Sequence, residues 1–164
     1  MKVLVFGPSG SGKTYVSKAL KLAGINAFDA EDIEGLSNWY KDGKKVAAPT
    51  TADEALNGRY AFLWSKKVMA AFLTKYDEAY VFGGSGNITE VFELFDHVYF
   101  LKVEPDLQRE RLHSPDRPTP KMDVSEDGLV VWGEWLEQFA AKQNIPFVDA
   151  AQTPEQIYLD ISRK

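Results

Sequence analysis

Short apolar runs alternate along the chain with segments in which apolar residues recur every three or four positions. Residues 3–6 (VLVF) form an unbroken apolar run, as expected of a strand that is buried on both faces of a sheet. Four later runs have the same character, at 25–28, 79–82, 97–103 and 145–148. Because helical segments lie between these runs, the pattern predicts an α/β fold, a doubly wound parallel sheet of five strands flanked by helices.

The predicted helices have recognisable start and stop signals. The first helix follows the first strand and ends at Gly24, and Thr153 with Pro154 is a cap and proline pair typical of a helix start. We predict the remaining helices at 59–75, at 89–95, from Pro105 onward and at 129–142. The aromatic residues of 59–75 recur at helical spacing, which assigns most of them to the core.

Two segments interrupt the alternation of strands and helices. Residues 35–58 are irregular and polar, and together with 59–75 they are predicted to form an insertion on the substrate side. Residues 113–127 are rich in proline and aspartate and are predicted to form an exposed, mobile lid. At 164 residues, and with no internal repeat, the chain is predicted to be a single domain, 1–164.

A glycine-rich loop follows the first strand directly. Its sequence from Gly7 to Thr14 (GPSGSGKT) matches the Walker A pattern of phosphate-binding loops, Gly-x-x-x-x-Gly-Lys-Thr. Glycines allow positive φ angles, which let successive N–H groups point at one anion, and the helix N-terminus adds positive charge. Lys13 can reach the β- and γ-phosphates, and the Thr14 hydroxyl can bind Mg²⁺. A plain glycine turn is the alternative, but the flanking strand and helix favour binding of a nucleoside triphosphate.

Composition and charge argue against several classes of function. The chain has no cysteine and two histidines, which excludes a disulfide framework, a thiolate metal site and an unaided zinc site. Its net charge of −5 argues against an extended nucleic-acid surface. There is no signal-peptide pattern and no apolar run of membrane-spanning length, which predicts a cytoplasmic protein without a membrane partner.

Three carboxylates follow the second predicted strand closely. They belong to Asp29, Glu31 and Asp32. Because the carboxyl ends of parallel strands line the ligand crevice of an open sheet, these side chains are expected to face the bound phosphates. The alternative is an acidic cap and first turn of a short helix, which the helix dipole would favour. The sequence leaves both interpretations open.

Residues outside the loop distinguish the classes of nucleotide-binding protein. A GTPase should carry Asn-Lys-x-Asp, which is absent, although residues 32–35 (DIEG) match its Asp-x-x-Gly motif. A mechanical ATPase usually has an apolar strand that ends in Asp-Glu, whereas the third and fourth predicted strands end in Gly83 and in 104–105 (EP). A small-molecule kinase needs a carboxylate near the attacking hydroxyl, a metal ion and arginines over the transferred group. The acids after the second strand, Thr14 and the arginines at 109, 111 and 117 fit that list. A regulatory ATPase and a nucleotide-binding module without an acceptor remain as alternatives.

With these motifs, the sequence resembles the shikimate-kinase and adenylate-kinase-like group of P-loop kinases. The resemblance follows the order of motifs over nearly the whole chain, and Gly7 to Thr14 is its specific part. Residues 28–31 (FDAE) are similar to the Phe-Asp-Ser-Asp segment of that group. The resemblance implies that Asp29 holds Mg²⁺ through water and that Glu31, one methylene longer than the aspartate of the group, contacts the substrate.

The same resemblance assigns roles to later residues. Residues 83–85 (GGS) are similar to the triple-glycine substrate turn of the group, with the third glycine replaced. The pairs at 110–111 (ER) and 117–118 (RP) are similar to its lid, which implies that Arg111 stacks on adenine and Arg117 reaches the phosphates; Thr119-Pro120 replaces the Leu-Leu that follows in the group. Residues 149–151 (DAA) are similar to the loop that holds adenine through its backbone.

The substrate side also indicates the class of acceptor. Arg59 is the only arginine between the second and fourth predicted strands, whereas a phosphorylated acceptor usually calls for several planar, bidentate donors. The lysines of 41–45 could substitute, but the aromatic residues at 39, 40 and 60 favour a ring as stacking partner. We therefore expect ATP and Mg²⁺ as cofactors, and a nucleoside, nucleotide or other ring-bearing hydroxyl compound as acceptor.

These arguments define a set of candidate site residues. Catalytic roles are predicted for Lys13, Asp29, Glu31 and Arg117. Nucleotide contacts are predicted for Gly7, Pro8, Ser9, Gly10, Ser11, Gly12, Lys13, Thr14, Tyr15, Arg111 and Ala151. Acceptor contacts are predicted for Glu31, Trp39, Arg59, Gly83 and Gly84, and metal ligation for Thr14 and Asp29.

Overall fold

The structure is a computed structural model in which residues 1–117 and 122–163 are described. The strands are β1 (Lys2–Phe6), β2 (Ala27–Asp29), β3 (Ser37–Lys41), β4 (Lys44–Val46), β5 (Ala61–Trp64), β6 (Ala79–Phe82), β7 (His97–Lys102) and β8 (Phe147–Asp149). The helices are α1 (Lys13–Leu22), α2 (Ala52–Asn57), α3 (Lys66–Leu73), α4 (Pro105–Leu112), α5 (Glu126–Lys142) and α6 (Pro154–Ile161), with 3₁₀ turns at Ala30–Asp32 and Ile88–Leu94. None of the helices in these ranges is long and apolar enough to cross a membrane.

Five parallel strands form the central sheet, in the order β2–β6–β1–β7–β8. Val3, Leu4 and Val5 of the middle strand have no accessible surface. Leu4 and Phe6 belong to the core on one face of the sheet, and Val3 and Val5 to the core on the other. The predicted five-stranded parallel sheet is confirmed, and the loop after β1 lies at the centre of its carboxyl edge.

The N-cap residues of α5 and α6 show where each of these predicted helices begins. The α6 start is as predicted, with the side chain of Thr153 accepting a hydrogen bond from the N–H of Gln156 (3.2 Å). The α5 helix begins three residues before the predicted position. The reason is Ser125, whose Oγ accepts a hydrogen bond from the N–H of Gly128 (3.0 Å) and so starts the helix earlier.

A second sheet of three antiparallel strands, in the order β4–β3–β5, occupies the predicted insertion. Asp42 and Gly43 join β3 to β4 with φ angles of 53° and 76°, which suit a two-residue hairpin turn. The prediction of irregular structure over 35–58 is therefore wrong, because an Asp-Gly turn pairs two strands there and α2 follows them.

The predicted helix at 59–75 is also wrong, because it divides into a strand and a shorter helix. Arg59 has a φ of 54°, which a continuous helix cannot include. In β5, which follows, Phe62 lies opposite Trp39 of β3, with their ring centroids 5.1 Å apart. The α3 helix then begins after Ser65, whose side chain accepts a hydrogen bond from the N–H of Val68 (3.2 Å).

The segment after β6 was predicted as a helix at 89–95 and is a 3₁₀ turn. A bond from the N–H of Glu90 to the carbonyl of Asn87 (3.0 Å) has the i→i+3 spacing of that conformation. The Asn87 side chain also accepts from the N–H of Trp64 and donates to its carbonyl, both at 2.9 Å. The turn is therefore attached to the small sheet at the end of β5.

The predicted lid, 113–127, lies partly outside the described residues. The structure describes 113–117, which form a turn after α4, and 122–127, of which the last two residues belong to α5. Asp123 forms a backbone bridge to the insertion, donating to the carbonyl of Thr50 and accepting from the N–H of Ala52, both at 3.1 Å. The lid segment and the insertion, which are far apart in the sequence, are thus in contact at Asp123.

Candidate active site at the glycine loop

The glycine loop has the backbone conformation that an anion cradle requires. Gly10 and Gly12 have φ angles of 85° and 97°, in the left-handed region that favours glycine. Gly12 is also the N-cap of α1. Among the residues that the structure describes, none accepts a hydrogen bond from the N–H of Gly10 or Gly12. These N–H groups at the start of a helix are available to an anion.

Lys13 lies against the loop that precedes it. Its ammonium donates to the carbonyls of Gly7 (2.5 Å) and Pro8 (2.9 Å). Burial lowers the pKa of Lys13 from 10.5 to about 8, while the negative charges of Asp29 and Glu31 act in the opposite direction. A polyphosphate in the cradle would replace the two carbonyls as partner of this cation.

Asp29 reaches the same place from the end of β2. Its Oδ2 accepts a hydrogen bond from the Thr14 hydroxyl (2.8 Å), and its Oδ1 accepts one from the N–H of Glu31 (3.0 Å). The carboxylate is thereby held by the first turn of α1 on one side and by its own turn on the other. Asp29 caps the 3₁₀ turn, as the second interpretation of the acidic cluster expects, and it also lies against the first turn of α1; that the acids face a bound phosphate stays a prediction.

The Thr14 hydroxyl and the Asp29 carboxylate fit Mg²⁺ by their chemistry. Mg²⁺ prefers oxygen ligands and usually keeps several waters beside one or two protein groups. In the described ranges, no group of three His, Cys, Asp or Glu side chains could hold a metal ion by itself. Phosphate oxygens and water would therefore supply the remaining ligands.

Arg111 joins the glycine loop to the segment after β8. Its guanidinium donates to the carbonyls of Ser11 (2.6 Å) and Ala150 (2.7 Å). The N–H of Ala151, predicted to contact adenine, donates to the carboxylate of Asp149 (2.9 Å). The glycine loop, α4 and the segment between β8 and α6 thus meet at one place, where the resemblance implies an adenine.

Two other predicted residues, Arg117 and Tyr15, make no side-chain hydrogen bond to the glycine loop in the described part of the chain. Arg117 donates from Nη1 to the carbonyl of Leu112 at the end of α4 (3.3 Å). Tyr15 lies in the first turn of α1 and is 69% exposed. Their roles remain predictions.

The predicted acceptor residues divide into two groups. Gly83 is buried at the end of β6, and a Cβ there would lie only 2.5 Å from the Cβ of Ala30, which follows Asp29. Gly84 is exposed, with open space around it. Trp39 and Arg59 belong to the small sheet and to the turn before β5.

Sequence reasoning missed two buried side chains beside the site. Gln108 of α4 is only 2% exposed and donates to the carbonyls of Ser9 (2.9 Å) and Leu129 (3.3 Å). Trp64 of β5 lies against Gly83, with its Cζ2 3.2 Å from where a Cβ would be. Gln108 and Arg111 are three residues apart, which places them on one face of a helix, and this spacing was the sequence signal for Gln108. Nothing in the sequence marked Trp64.

Comparison with known proteins identifies the fold. No protein-family model matches the chain, and no curated protein matches it in sequence. A deoxyadenosine kinase from M. mycoides with bound dATP has 15% identity over 98% of this chain and 97% of its own, with a TM-score of 0.60. A shikimate kinase from Acinetobacter baumannii in complex with shikimate has 21% identity over 99% and 94%, with a TM-score of 0.57. A gluconokinase from Sinorhizobium meliloti 1021 has 19% identity over 98% and 88%, with a TM-score of 0.52. The chain has the fold of the P-loop small-molecule kinases.

Proposed function

We propose that this protein is an ATP-dependent phosphotransferase that moves the γ-phosphate of ATP to a hydroxyl of a small acceptor. The observation that carries the proposal is the hydrogen bond between the Thr14 hydroxyl and the Asp29 carboxylate (2.8 Å). This bond places a carboxylate beside the first turn of α1, directly after the phosphate loop, where a transferable phosphoryl group would lie. The fold shared with kinases of deoxyadenosine, shikimate and gluconate supports the same class of reaction.

In the proposed complex, the loop binds the polyphosphate of ATP. The N–H groups of Gly10, Gly12 and the first turn of α1 point at its oxygens, and the ammonium of Lys13 leaves the loop carbonyls to pair with them. Arg111 and the backbone near Ala151 lie on the adenine side. Mg²⁺, held by Thr14 and through water by Asp29, would neutralise charge on the phosphate oxygens.

The acids after β2 act on the acceptor. Asp29 or Glu31 orients the attacking hydroxyl and takes its proton. The hydroxyl oxygen bonds to the γ-phosphorus as the bond from that phosphorus to the β,γ-bridging oxygen breaks, and ADP leaves. Arg117 is proposed to exchange the carbonyl of Leu112 for the transferred group, whose charge it would stabilise.

The acceptor is proposed to be a nucleoside, a nucleotide or another hydroxyl compound with a ring. Segment 35–75 is proposed as the acceptor side, because it supplies Trp39, Arg59 and the strand that reaches Gly83. Aromatic side chains there suit stacking on a planar ring, and a single arginine favours the less charged members of this set over a nucleotide.

The experiment is transfer of labelled phosphate. The purified chain is incubated with Mg²⁺ and γ-labelled ATP, together with a panel of nucleosides, nucleotides and cyclic polyols. Transfer of label to one of these compounds is expected, and Lys13→Ala is expected to abolish it while circular dichroism shows an unchanged fold. Lys18→Ala, which alters an exposed lysine of α1, is the control. Label released only as inorganic phosphate would indicate a regulatory ATPase, and binding without turnover a nucleotide-binding module. Either result would refute the proposal.

A further inference from the structure

Two side chains on one face of α4 bind alternate carbonyls of the glycine loop. Gln108 donates from Nε2 to the carbonyl of Ser9 (2.9 Å), and Arg111 donates from Nη1 to the carbonyl of Ser11 (2.6 Å). Residues three apart in a helix lie on the same face, which is why both can reach the loop. The resemblance to known kinases assigns no role to Gln108, and it assigns Arg111 only to adenine.

The direction of these carbonyls also determines the direction of the N–H groups that follow them. In a trans peptide the C=O of one residue and the N–H of the next point in opposite directions. No cis peptide occurs in the described part of the chain. Because Gln108 binds the Ser9 carbonyl on the α4 side, the N–H of Gly10 points away from α4. The same relation holds between the Ser11 carbonyl and the N–H of Gly12.

Gln108 has little freedom to move from this position. A Cβ on Gly10 would lie 3.1 Å from Gln108 Cγ and 3.2 Å from Leu112 Cγ, so that loop and helix are in direct contact. The Gln108 amide also donates to the carbonyl of Leu129 in α5 (3.3 Å). On that side Gly133 of α5 approaches so closely that a Cβ there would lie 3.3 Å from Gln108 Nε2.

We propose that Gln108 is a positioning residue for the phosphate loop. Its amide keeps the Ser9 carbonyl turned toward α4, so that the N–H of Gly10 faces the anion before any ligand arrives. Such preorganisation reduces the reorientation that phosphate binding would otherwise require. The inference rests on the polyphosphate site of the proposed function, but it does not depend on the identity of the acceptor or on transfer taking place.

The test is the affinity of the loop for inorganic tripolyphosphate, which has no adenine and is not an acceptor. Gln108→Met keeps the length of the side chain and removes the donor. We expect calorimetry to give a dissociation constant for tripolyphosphate about tenfold higher than that of the parent protein, and a similar rise for ATP. Gln138→Met, an exposed glutamine of α5, is the matched control and should leave both affinities unchanged.

Two readouts separate positioning from a general loss of structure. The affinity for adenosine, which does not use the phosphate cradle, should stay the same in Gln108→Met. In ¹⁵N–¹H spectra the Gly10 amide should shift on addition of tripolyphosphate in the parent protein, and shift less in the variant. A folded Gln108→Met protein that binds tripolyphosphate as the parent does would overturn the proposal, as would equal losses for adenosine and tripolyphosphate.

A measurement on the unaltered protein covers the case in which the variant does not fold. The side-chain amide protons of Gln108 should exchange slowly with deuterium, because Gln108 is only 2% exposed and its amide donates to two backbone carbonyls. They should remain slow when tripolyphosphate is bound. Fast exchange in the bound state would mean that the amide does not hold the Ser9 carbonyl there, and the proposal would fail.

Discussion

The hydroxyl of Thr14 donates a 2.8 Å hydrogen bond to the carboxylate of Asp29. This bond joins the first turn of α1 to the end of β2, two elements that meet because α1 connects β1 to β2 and only β6 lies between those two strands in the sheet. The same two oxygen atoms are those that Mg²⁺ would approach. Function at this site should therefore depend on the charge of Asp29 more than on its shape.

Asp29→Asn tests that dependence. The Asn oxygen can still accept a hydrogen bond from the N–H of Glu31, and its NH2 group can donate to the Thr14 hydroxyl, so the local fold should persist. Loss of the negative charge should lower kcat for phosphoryl transfer on the order of a hundredfold. Affinity for ATP in the absence of Mg²⁺ should not weaken, because a charge that repels phosphate has been removed.

The control for this variant is Asp32→Asn, which alters an exposed acid of the same cluster to which no catalytic or metal role is assigned. It should leave kcat near that of the parent protein. If Asp29→Asn instead reduced only ATP affinity or the unfolding midpoint, Asp29 would be a helix cap without a part in the reaction.

The lowered pKa of Lys13 predicts how ATP binding varies with pH. Lys13 is protonated below its pKa of about 8, and bound phosphate stabilises the protonated form. The ATP dissociation constant should therefore be constant below pH 8 and rise above it, by up to about tenfold per pH unit. Lys13→Arg keeps its charge throughout this range and should show no such rise. A parent protein with the same flat profile would contradict the assignment of Lys13 to the phosphates.

The lowered pKa of Lys13 also makes the stability of the folded protein depend on pH. Between pH about 8 and 10.5 the unfolded chain holds a proton on Lys13 that the folded chain has released. The contribution of this group to the free energy of unfolding therefore increases as the pH rises through that range, and it is lost as the pH falls through about 8. Comparison of urea unfolding of the parent protein and Lys13→Met across this range would show the difference directly.

Gly83→Ala should be destabilising because of its contact with the end of β2. The added methyl would lie 2.5 Å from the Cβ of Ala30, so that one of the two segments must shift. We expect a loss of roughly 1–3 kcal/mol in the free energy of unfolding, measured with urea. Gly84→Ala is the adjacent control, since nothing lies within 4 Å of its Cβ position. Equal losses in the two variants would argue against the contact as the cause.

Trp39→Ala tests the proposed acceptor side. Trp39 packs on Phe62, and Tyr40 lies on the opposite face of β3 because side chains alternate along a strand. If the ring of the acceptor stacks at this surface, Trp39→Ala should raise the acceptor KM about tenfold and leave the ATP KM unchanged. Tyr40→Ala should change neither constant. A larger effect of Tyr40→Ala would place the acceptor on the other face.

The local sequence was sufficient for the central sheet and for the loop. Each of the five strands coincides with a short apolar run, most clearly in β6, where every residue is buried and no polar side breaks the run. The loop from Gly7 to Thr14 is also local, since the φ angles of Gly10 and Gly12 come from the glycines themselves. Asp29 could be placed beside the loop because parallel strands bring their carboxyl ends to one edge.

The small sheet depended on contacts that the spacing of residues did not reveal. The aromatic residues of 59–75 fit a helical period, yet Phe62 pairs with Trp39 across strands, and Arg59 interrupts any helix with its positive φ. The Asp42-Gly43 pair was the one local signal of a hairpin, and the polar residues around it concealed the strands.

By itself, then, the sequence determined the order of the elements, the phosphate loop and the acid after β2, since each depends on neighbours in the chain. Tertiary structure alone decided which groups surround the loop. Gln108 and Arg111 lie about a hundred residues from the loop carbonyls that they bind, and they reach them because α4 follows β7, which pairs with β1 in the sheet. No local pattern encodes such a contact, because it forms only when the sheet brings distant segments together.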